Sequence, residues 1–411
     1  MITIVVITIF MRETVTGGTY TVCISPGYYN NMSFFALYNL SWTTSVVLRQ
    51  VGGGTVYIPG QLLLVGVQVQ GVNFNVGQAN LINDTLQGVN LQANAISNTV
   101  YSDGNTWVGW SGNTINAGSS ISIGNANNSS LGTEYLYTSS NMTLYGSISG
   151  NMSFYGDGSS IVNVYNGDIN GNLYLSSISV NVNNGNVNLG GNGIQLSSSN
   201  LSVQGTINDG NNGNIYLYNN SSLSANSFAG NSSSPNSTIS LSSSTAYIGN
   251  INYCTSISLS NNSTLNVQNG SVYCYGNTSL SLNSSSMNVN GDVTLYDPNP
   301  GWDTLSLQNS NLTANGNVKV NGDQWSFTIQ YSNLYIYGSN GLNLALLVPY
   351  TFISSQNPPY YNPPYYYAPT NSCIYAWQVY NGYGTTYTPP NYNFGPQTAL
   401  VTPYSMCPYP T

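Results

Sequence analysis

The acidic residues are the side chains of this sequence that could support catalysis. Hydrolysis of a glycosidic bond needs two carboxyl groups facing each other across about 5 to 10 Å. No acidic residue lies in a recognisable catalytic motif, and several lie beside glycine, where an aspartate commonly bonds its own backbone in a turn. We therefore predict no catalytic residue and expect these carboxylates to be mostly structural. The candidates are Glu134, Asp157, Asp168, Asp209, Asp292, Asp297, Asp303 and Asp323.

Histidine and cysteine add little further chemistry. The chain contains no histidine, which removes the commonest general base and a common metal ligand. Its five cysteines show no CxxC spacing, so we expect no metal site and no cofactor. We expect a protein that is not an enzyme. Cleavage of a surface glycan by a hydrolase or lyase reaction is the enzymatic alternative.

The segment YDPNPGWDT at residues 296–304 is a candidate ligand site. It places Trp302 between Asp297 and Asp303. Inserted loops on a rigid scaffold often carry binding specificity, and aromatic faces stack on sugar rings. We therefore predict a receptor or glycan site at these three residues. The alternative is a bulge whose tryptophan packs back on the scaffold.

A second candidate surface is the tyrosine- and proline-rich segment after residue 345. Proline at this density excludes central strands, while tyrosine gives a large contact area at low entropic cost. Receptor contacts are one interpretation, and a tyrosine-rich cap packed within the molecule or between subunits is the other. The tyrosines predicted to make receptor contacts are Tyr360, Tyr361, Tyr365, Tyr366 and Tyr367.

The composition excludes several classes of partner. Only 3% of the 411 residues are charged and the net charge is -8, so the chain is too acidic and too sparsely charged to bind nucleic acid. No run of about 18 apolar residues occurs, and we expect no membrane span. Hydrophobic residues make up 41% of the chain in ordered alternation, which favours a folded β protein over disorder.

The apolar residues occur as alternating pairs that reset after short Asn/Ser/Gly segments. SISLSNNSTLNVQNGSVYCYG at 256–276 contains three such pairs, and equivalent pairs recur at intervals of about 21 to 25 residues. An alternating pair is typical of a short strand with one buried face. Three short strands per repeat predict one rung of a parallel β-helix. A leucine-rich horseshoe has a comparable period, but the segments between these pairs are not helix formers.

This pattern resembles right-handed parallel β-helix proteins, the family that includes viral tail spikes and surface adhesins. The resemblance covers about residues 118–345 and is carried by units such as LSLNSSSMNVNG at 280–291. It implies an all-β fold with three short strands per rung of about 22 residues, and it favours a homotrimer. The composition, poor in charge and rich in Asn, Ser and Tyr, also resembles virion proteins of thermoacidophilic archaea.

Three regions are expected along the chain. Residues 1–117 do not follow the period and are predicted to form a β domain that caps the helix or anchors it to other virion or surface proteins. Residues 118–345 form the parallel β-helix, and 346–411 form the irregular Tyr/Pro-rich segment. MITIVVITIF at the start predicts a strand, which could instead complete the sheet of a neighbouring subunit.

Cys254 and Cys274 are separated by 20 residues, close to one repeat. Stacked rungs would hold their Cα atoms about 4.8 Å apart, within the range for a disulfide. We predict this bond, with two stacked free thiols as the alternative. Cys373 and Cys407 could close the C-terminal segment, which would leave Cys23 unpaired.

Asn-X-Ser/Thr sequons are frequent and favour exposure to a glycosylating, extracellular environment. We expect a virion tail spike or fibre that binds a host surface glycan or glycoprotein. A cell-surface adhesin or filament subunit and a glycan-cleaving spike are the alternatives. The glycosylation candidates are Asn31, Asn83, Asn141, Asn200, Asn236, Asn262, Asn277 and Asn311.

Overall fold

The computed structural model of this chain is all-β. It describes residues 5–11, 18–30, 32–39, 44–96, 100–102, 105–107, 113–116, 120–125, 129–136, 139–210, 213–233, 236–298, 302–321, 324–338, 342–345, 373–375, 379–380, 386–387 and 399–401. By compactness these fall into two units, unit 1 within residues 1–188 and 196–205 and unit 2 within 189–195 and 206–411. In this described part, no helix is long and apolar enough to cross a membrane.

The strands are numbered in chain order. Those up to residue 136 are β1 (Val5–Met11), β2 (Gly18–Ile24), β3 (Gly27–Tyr28), β4 (Met32–Asn39), β5 (Thr44–Gln50), β6 (Val56–Val65), β7 (Gln68–Gln70), β8 (Asn73–Ile82), β9 (Thr85–Gln87), β10 (Asn90–Ile96), β11 (Val100–Ser102), β12 (Asn105–Trp107), β13 (Asn113–Asn116), β14 (Ser120–Asn125), β15 (Ser129–Ser130) and β16 (Thr133–Leu136). The next are β17 (Asn141–Tyr145), β18 (Ile148–Gly156), β19 (Ile161–Tyr165), β20 (Ile169–Ser176), β21 (Ser179–Asn183), β22 (Val187–Ser197), β23 (Asn200–Asn208), β24 (Ile215–Tyr218), β25 (Ser222–Ala229), β26 (Thr238–Ser242), β27 (Thr245–Ile248), β28 (Ile251–Ser260) and β29 (Thr264–Val267). The last are β30 (Val272–Asn283), β31 (Ser286–Val289), β32 (Val293–Tyr296), β33 (Trp302–Gln308), β34 (Asn311–Ala314), β35 (Val318–Asn321), β36 (Gln324–Gln330), β37 (Asn333–Ile336), β38 (Leu342–Ala345), β39 (Cys373–Tyr375), β40 (Val379–Tyr380), β41 (Thr386–Tyr387) and β42 (Ala399–Val401).

Most strands pair in parallel with the equivalent strand one repeat along the chain. The result is a right-handed parallel β-solenoid of about 11 turns with rungs of roughly 21 residues, which confirms the predicted fold class. We name its three sheets from one rung of unit 2. Sheet A contains residues 279–283 of β30, sheet B contains β31 and sheet C contains β32, and these strands pair in parallel with β33, β34 and β35.

The core consists of the alternating pairs that the sequence analysis identified. In the rung of β31, Met287 and Val289 are buried and stack in register on Leu312 and Ala314 of the next rung. Alternate side chains point outward, as the period of two in a strand requires. Each short strand therefore buries two aliphatic side chains, and the corners carry the turn residues.

Among the described residues, parallel pairing is already present in β1, well before residue 118. Strand β1 pairs with β4 and β4 with β6, so the region expected to form a separate cap contains the same kind of ladder. Its strands did not show the repeat because several are apolar on both faces. Outward-facing Leu63 and Val65 belong to a buried cluster with Ala36, Tyr38 and Ile82. A strand buried on both faces has a continuous apolar run in place of alternation.

A buried serine turns the chain between sheets A and B. The backbone N–H of Ser285 donates to Oγ of Ser310 at 3.1 Å, and this hydroxyl donates to the carbonyl of Gln308 at 2.7 Å. The residue before each serine has left-handed backbone, with φ of 51° at Ser284 and 49° at Asn309. The serine thus satisfies a buried N–H that the turn would leave unpaired. The same bond links Ser221 to Ser244, Ser244 to Ser263, Ser263 to Ser285 and Ser310 to Ser332.

Between sheets B and C, the corner contains short polar side chains and closely packed glycines. Oδ1 of Asp292 accepts a hydrogen bond from the backbone N–H of Asn317 at 2.6 Å, and the backbone N–H of Asp292 donates to Oγ of Ser271 at 3.0 Å. A Cβ atom placed on Gly316 would lie 2.6 Å from the carbonyl carbon of Gly291 and from the backbone nitrogen of Asp292. Glycine at this corner lets the rungs stack at the normal spacing of a sheet.

Candidate functional site

The carboxyl groups of the 296–304 segment face into the protein. Asp297 is 2% exposed and Asp303 is fully buried. Oδ1 of Asp303 accepts the backbone N–H of Thr278 at 3.0 Å and the hydroxyl of Thr278 at 2.6 Å. Trp302 lies in β33, and its side chain is outside the part of the chain that the structure describes. Asp303 thus acts first as an internal support of the corner between sheets C and A.

Burial changes the acid–base properties of this corner. Desolvation, and to a smaller extent the negative charge of nearby Asp297, raise the pKa of Asp303 to about 6 against the hydrogen bonds from Thr278, which lower it. The second oxygen, Oδ2, has no hydrogen-bond partner among the described residues. Asp303 therefore changes charge near pH 6 even though the chain contains no histidine.

Four tyrosines cluster on the surface of sheet C beside this corner. The ring centroids of Tyr275 and Tyr296 are 5.5 Å apart with the planes 30° from parallel, and those of Tyr273 and Tyr296 are 6.3 Å apart. Tyr253 makes an edge-on contact with Tyr273 at 5.5 Å. Each ring is half-buried by its neighbours, and Tyr296 directly precedes Asp297. The segment predicted as a ligand site therefore borders an aromatic surface.

Tyr247 of β27 is an exposed aromatic residue of unit 2 that lines two polar grooves. Its neighbours Ala246 and Ile248 point into the core, and its own side chain is 40% exposed. One groove beside it has a volume of about 460 Å³ and continues to the corner between sheets A and B, lined by Asn220, Ser221, Ser222, Ser243, Ser244, Thr245, Asn261 and Asn262. A second, of about 360 Å³, lies along sheet B and is lined by Asn266, Val267, Gln268, Asn288, Val289, Asn290, Thr313 and Asn315.

The lining of both grooves is uncharged and ordered. Asn266, Asn288 and Thr313 follow Tyr247 in register on successive strands of sheet B. The amide of Asn288 donates to Oδ1 of Asn266 at 2.9 Å, and that of Asn315 donates to Oδ1 of Asn290 at 2.9 Å. These ladders hold hydrogen-bonding groups in fixed positions on a rigid sheet. Amides and hydroxyls in fixed positions are the groups that hydrogen-bond the hydroxyls of a neutral ligand.

The sequons that the structure describes are accessible. Seven of the eight candidates are exposed, namely Asn83, Asn141, Asn200, Asn236, Asn262, Asn277 and Asn311, whereas Asn31 lies outside the described residues. Asn141, Asn200 and Asn311 each begin a strand of sheet B directly after the corner serine. The turn chemistry of this corner therefore itself produces part of the sequon pattern.

The structure joins Cys254 and Cys274 by a disulfide, with their Cα atoms 4.4 Å apart in register on β28 and β30. Cys23 is exposed and free. Cys373 lies in β39, and its side chain and the whole of Cys407 are outside the described residues. No group of three or more His, Cys, Asp or Glu side chains in the described ranges could hold a metal ion.

The tyrosines predicted at 360–367 also lie outside the described residues. Tyr247 was not among the predicted site residues, although it occupies an outward position within the alternation of TAYI at 245–248. Its position between two grooves depends on strands about 20 and 40 residues further along, and alternation within one strand carries no such information.

Comparisons with known proteins found no match for this chain. This holds for family models, for curated proteins and for solved structures.

Proposed function

We propose that this is an extracellular attachment protein whose sheet B binds a neutral surface glycan. The observation that carries the proposal is the exposed ring of Tyr247 between two uncharged grooves lined by amides and hydroxyls. An aromatic face stacks on the apolar face of a sugar ring, and fixed amides and hydroxyls bond its hydroxyl groups. Because neither lining contains a cation, a neutral sugar is favoured over a sulfated or uronic one.

Two further features support a location outside the cell. A disulfide persists in oxidising compartments, and exposed sequons suit a glycosylated surface protein. Within this class, a virion tail spike or fibre is the proposal, with homotrimer assembly and with residues 1–117 contacting other virion proteins. The filament alternative is less supported, because β1 already pairs with β4 of its own chain.

Replacement of Tyr247 tests the proposal. Tyr247→Ala removes the stacking ring while leaving the inward-facing residues unchanged, so we expect affinity for neutral glycans to fall about 3- to 10-fold. Tyr145→Ala is the matched control, because Tyr145 is also 40% exposed and lines neither groove. Binding is measured on an array of neutral and acidic glycans, followed by titration of the best ligand.

The proposal is wrong if no neutral glycan binds, or if Tyr247→Ala and Tyr145→Ala bind equally well. Preferential binding of acidic glycans would also contradict it, since that would need a cationic site.

A glycan-cleaving spike is the second candidate. It is supported by the raised pKa of Asp303, which comes mainly from desolvation and partly from the charge of nearby Asp297, because a general acid needs a raised pKa. Burial of both side chains opposes this role, since a substrate must reach the acid.

A further inference from the structure

The interior of unit 1 contains a column of polar side chains at the start of the short strands β9, β13 and β16. Asn113 of β13 is paired with Glu134 of β16, and Asp84 lies level with Asn113 because Thr85 is paired with Thr114. Asp84 is 1% exposed, and Asn113 and Glu134 are fully buried. At about 4.8 Å per rung, the two carboxyl groups are roughly 10 Å apart with the amide between them.

Asp84 is well supported by hydrogen bonds. Its Oδ1 accepts the backbone N–H of Val67 at 2.7 Å, and its Oδ2 accepts that of Ile82 at 3.0 Å. Its own N–H donates to Oδ1 of Asn113 at 3.0 Å, and the amide of Asn113 donates to the carbonyl of Leu81 at 2.9 Å. Both ends of the Asn113 side chain are thus engaged on the Asp84 side of the column.

Glu134 lacks comparable support. Neither carboxyl oxygen has a hydrogen bond of normal geometry among the described residues. Its neighbours along the column are Asn113 on one side and the buried ring of Phe154 on the other. An ionised carboxylate here would depend on Asn113 alone for hydrogen bonding, with an aromatic ring on its other side.

No positive charge among the described residues compensates Glu134. Arg49 bonds Gln70 on the exposed surface. On the strands paired around Glu134, the other titratable side chains are Asp84 of the same column and Tyr135 and Tyr155, which stack on each other outside the core. The groups facing Glu134 are therefore neutral or, like Asp84, potentially negative.

The pKa of each acid moves in the same direction. Desolvation raises the pKa of Glu134 well above its usual range. Hydrogen bonding to Asn113 lowers this pKa in part, and the negative charge of Asp84 adds to the rise. Desolvation also raises the pKa of Asp84, against the two backbone hydrogen bonds that lower it.

We propose that Glu134 is held as the neutral acid in the folded protein, and that this buried column makes unit 1 more stable in acid than at neutral pH. The folded state keeps a proton that the unfolded chain loses above about pH 4.3. Stability from this group is therefore complete below that pH and decreases as the pH rises through the folded-state pKa. The column thus suits a protein that works in an acidic environment.

Glu134→Gln tests this inference, because glutamine has the shape of the neutral acid and cannot ionise. We expect the wild-type Tm to be about 3 °C or more higher at pH 4.5 than at pH 7.0. The variant should have a higher Tm than the wild type at pH 7.0 and a smaller difference in Tm between the two pH values.

Asp157→Asn is the control, since Asp157 is an exposed acid of the same unit, and it should leave the difference in Tm unchanged. Asp84→Asn is unsuitable as a test variant. Both oxygens of Asp84 accept a backbone N–H, so the amide NH₂ of asparagine would face one of these donors.

Infrared spectroscopy of the wild type provides a measurement that does not depend on the variant folding. A carbonyl stretch of a protonated carboxyl group should be present at pH 7.0 and should lose intensity in Glu134→Gln. Absence of this band at pH 7.0, or a wild-type Tm that is equal or higher at pH 7.0, overturns the proposal. A rise in Tm on adding Ca²⁺ at pH 7.0 that requires Glu134 would also overturn it, because the carboxylate would then be ionised and bound to a cation.

Discussion

At the scale of single residues, burial decides what the acids do. Asp303 and Glu134 have the same chemistry as exposed Asp157, yet each is fully buried near the start of a strand. Asp157 accepts the N–H of Ser159 two residues along, which is the turn role that the sequence predicted. A low content of ionisable groups makes the few buried ones dominate the dependence of stability on pH.

Asp303→Asn should remove the charge change near pH 6 while keeping the two hydrogen bonds from Thr278, because the amide oxygen can replace Oδ1. The raised pKa means that stability is complete below about pH 4 and is lost as the pH rises through about 6. We therefore expect the variant to gain on the order of 2 kcal/mol relative to the wild type at pH 7.5 and little at pH 4. Urea unfolding at the two pH values measures this difference.

The same variant separates the structural role from a catalytic one. If the wild type releases sugar from a host envelope and Asp303→Asn does not, although it is folded and more stable, Asp303 is a catalytic acid. If Asp303→Asn and the wild type are equally stable at both pH values, ionisation of Asp303 has no effect on the free energy of unfolding.

At the scale of elements, the parallel ladders set the spacing between rungs, and the corners must accommodate that spacing. The serine corner supplies a hydrogen bond from each rung to the next, and the glycine corner supplies close backbone contact. The sequence signal for both is the Asn/Ser/Gly cluster. The hydrogen bonds that this cluster makes join residues about 20 to 25 positions apart.

Gly316→Ala should destabilise unit 2, because the added Cβ would press on the backbone of the preceding rung. Overpacking of this kind costs about 1 to 3 kcal/mol. Gly210→Ala is the control, since a Cβ there meets no atom within 4 Å. Equal urea midpoints for the two variants would show that the rungs can separate at this corner without loss.

At the scale of the whole molecule, the scarcity of charge means that stability comes from burial and hydrogen bonding. With 3 basic and 11 acidic residues in the chain, the described part contains one ion pair, between Lys319 and Asp292 at 3.9 Å, and both side chains are partly exposed. Such pairs contribute little and are screened by salt.

The Tm should consequently be almost independent of ionic strength. We expect a change of less than about 2 °C between about 0.05 and 0.5 M NaCl at fixed pH. Differential scanning calorimetry measures it, with a domain rich in surface ion pairs as the reference. A fall of many degrees would show that charge interactions contribute far more than the described structure indicates.

The repeating strands of the solenoid and the stacking of Cys254 on Cys274 can be predicted from the sequence alone. These follow from alternation within a strand and from a repeat length of one rung, and both can be counted along the chain. The sequence also determined the neutral surface, because composition leaves few charges to expose.

Which side chains share a surface or a buried column depends on how successive rungs pack in the tertiary structure. Tyr247 joins its grooves, and Asp84 lies one rung from Asn113, only because residues from successive rungs come together. The parallel pairing of the N-terminal strands was hidden for a related reason, since Leu63 and Val65 are covered on the outer face and do not alternate with polar residues. A period of two reports one face of one strand, whereas burial depends on every element that packs against it.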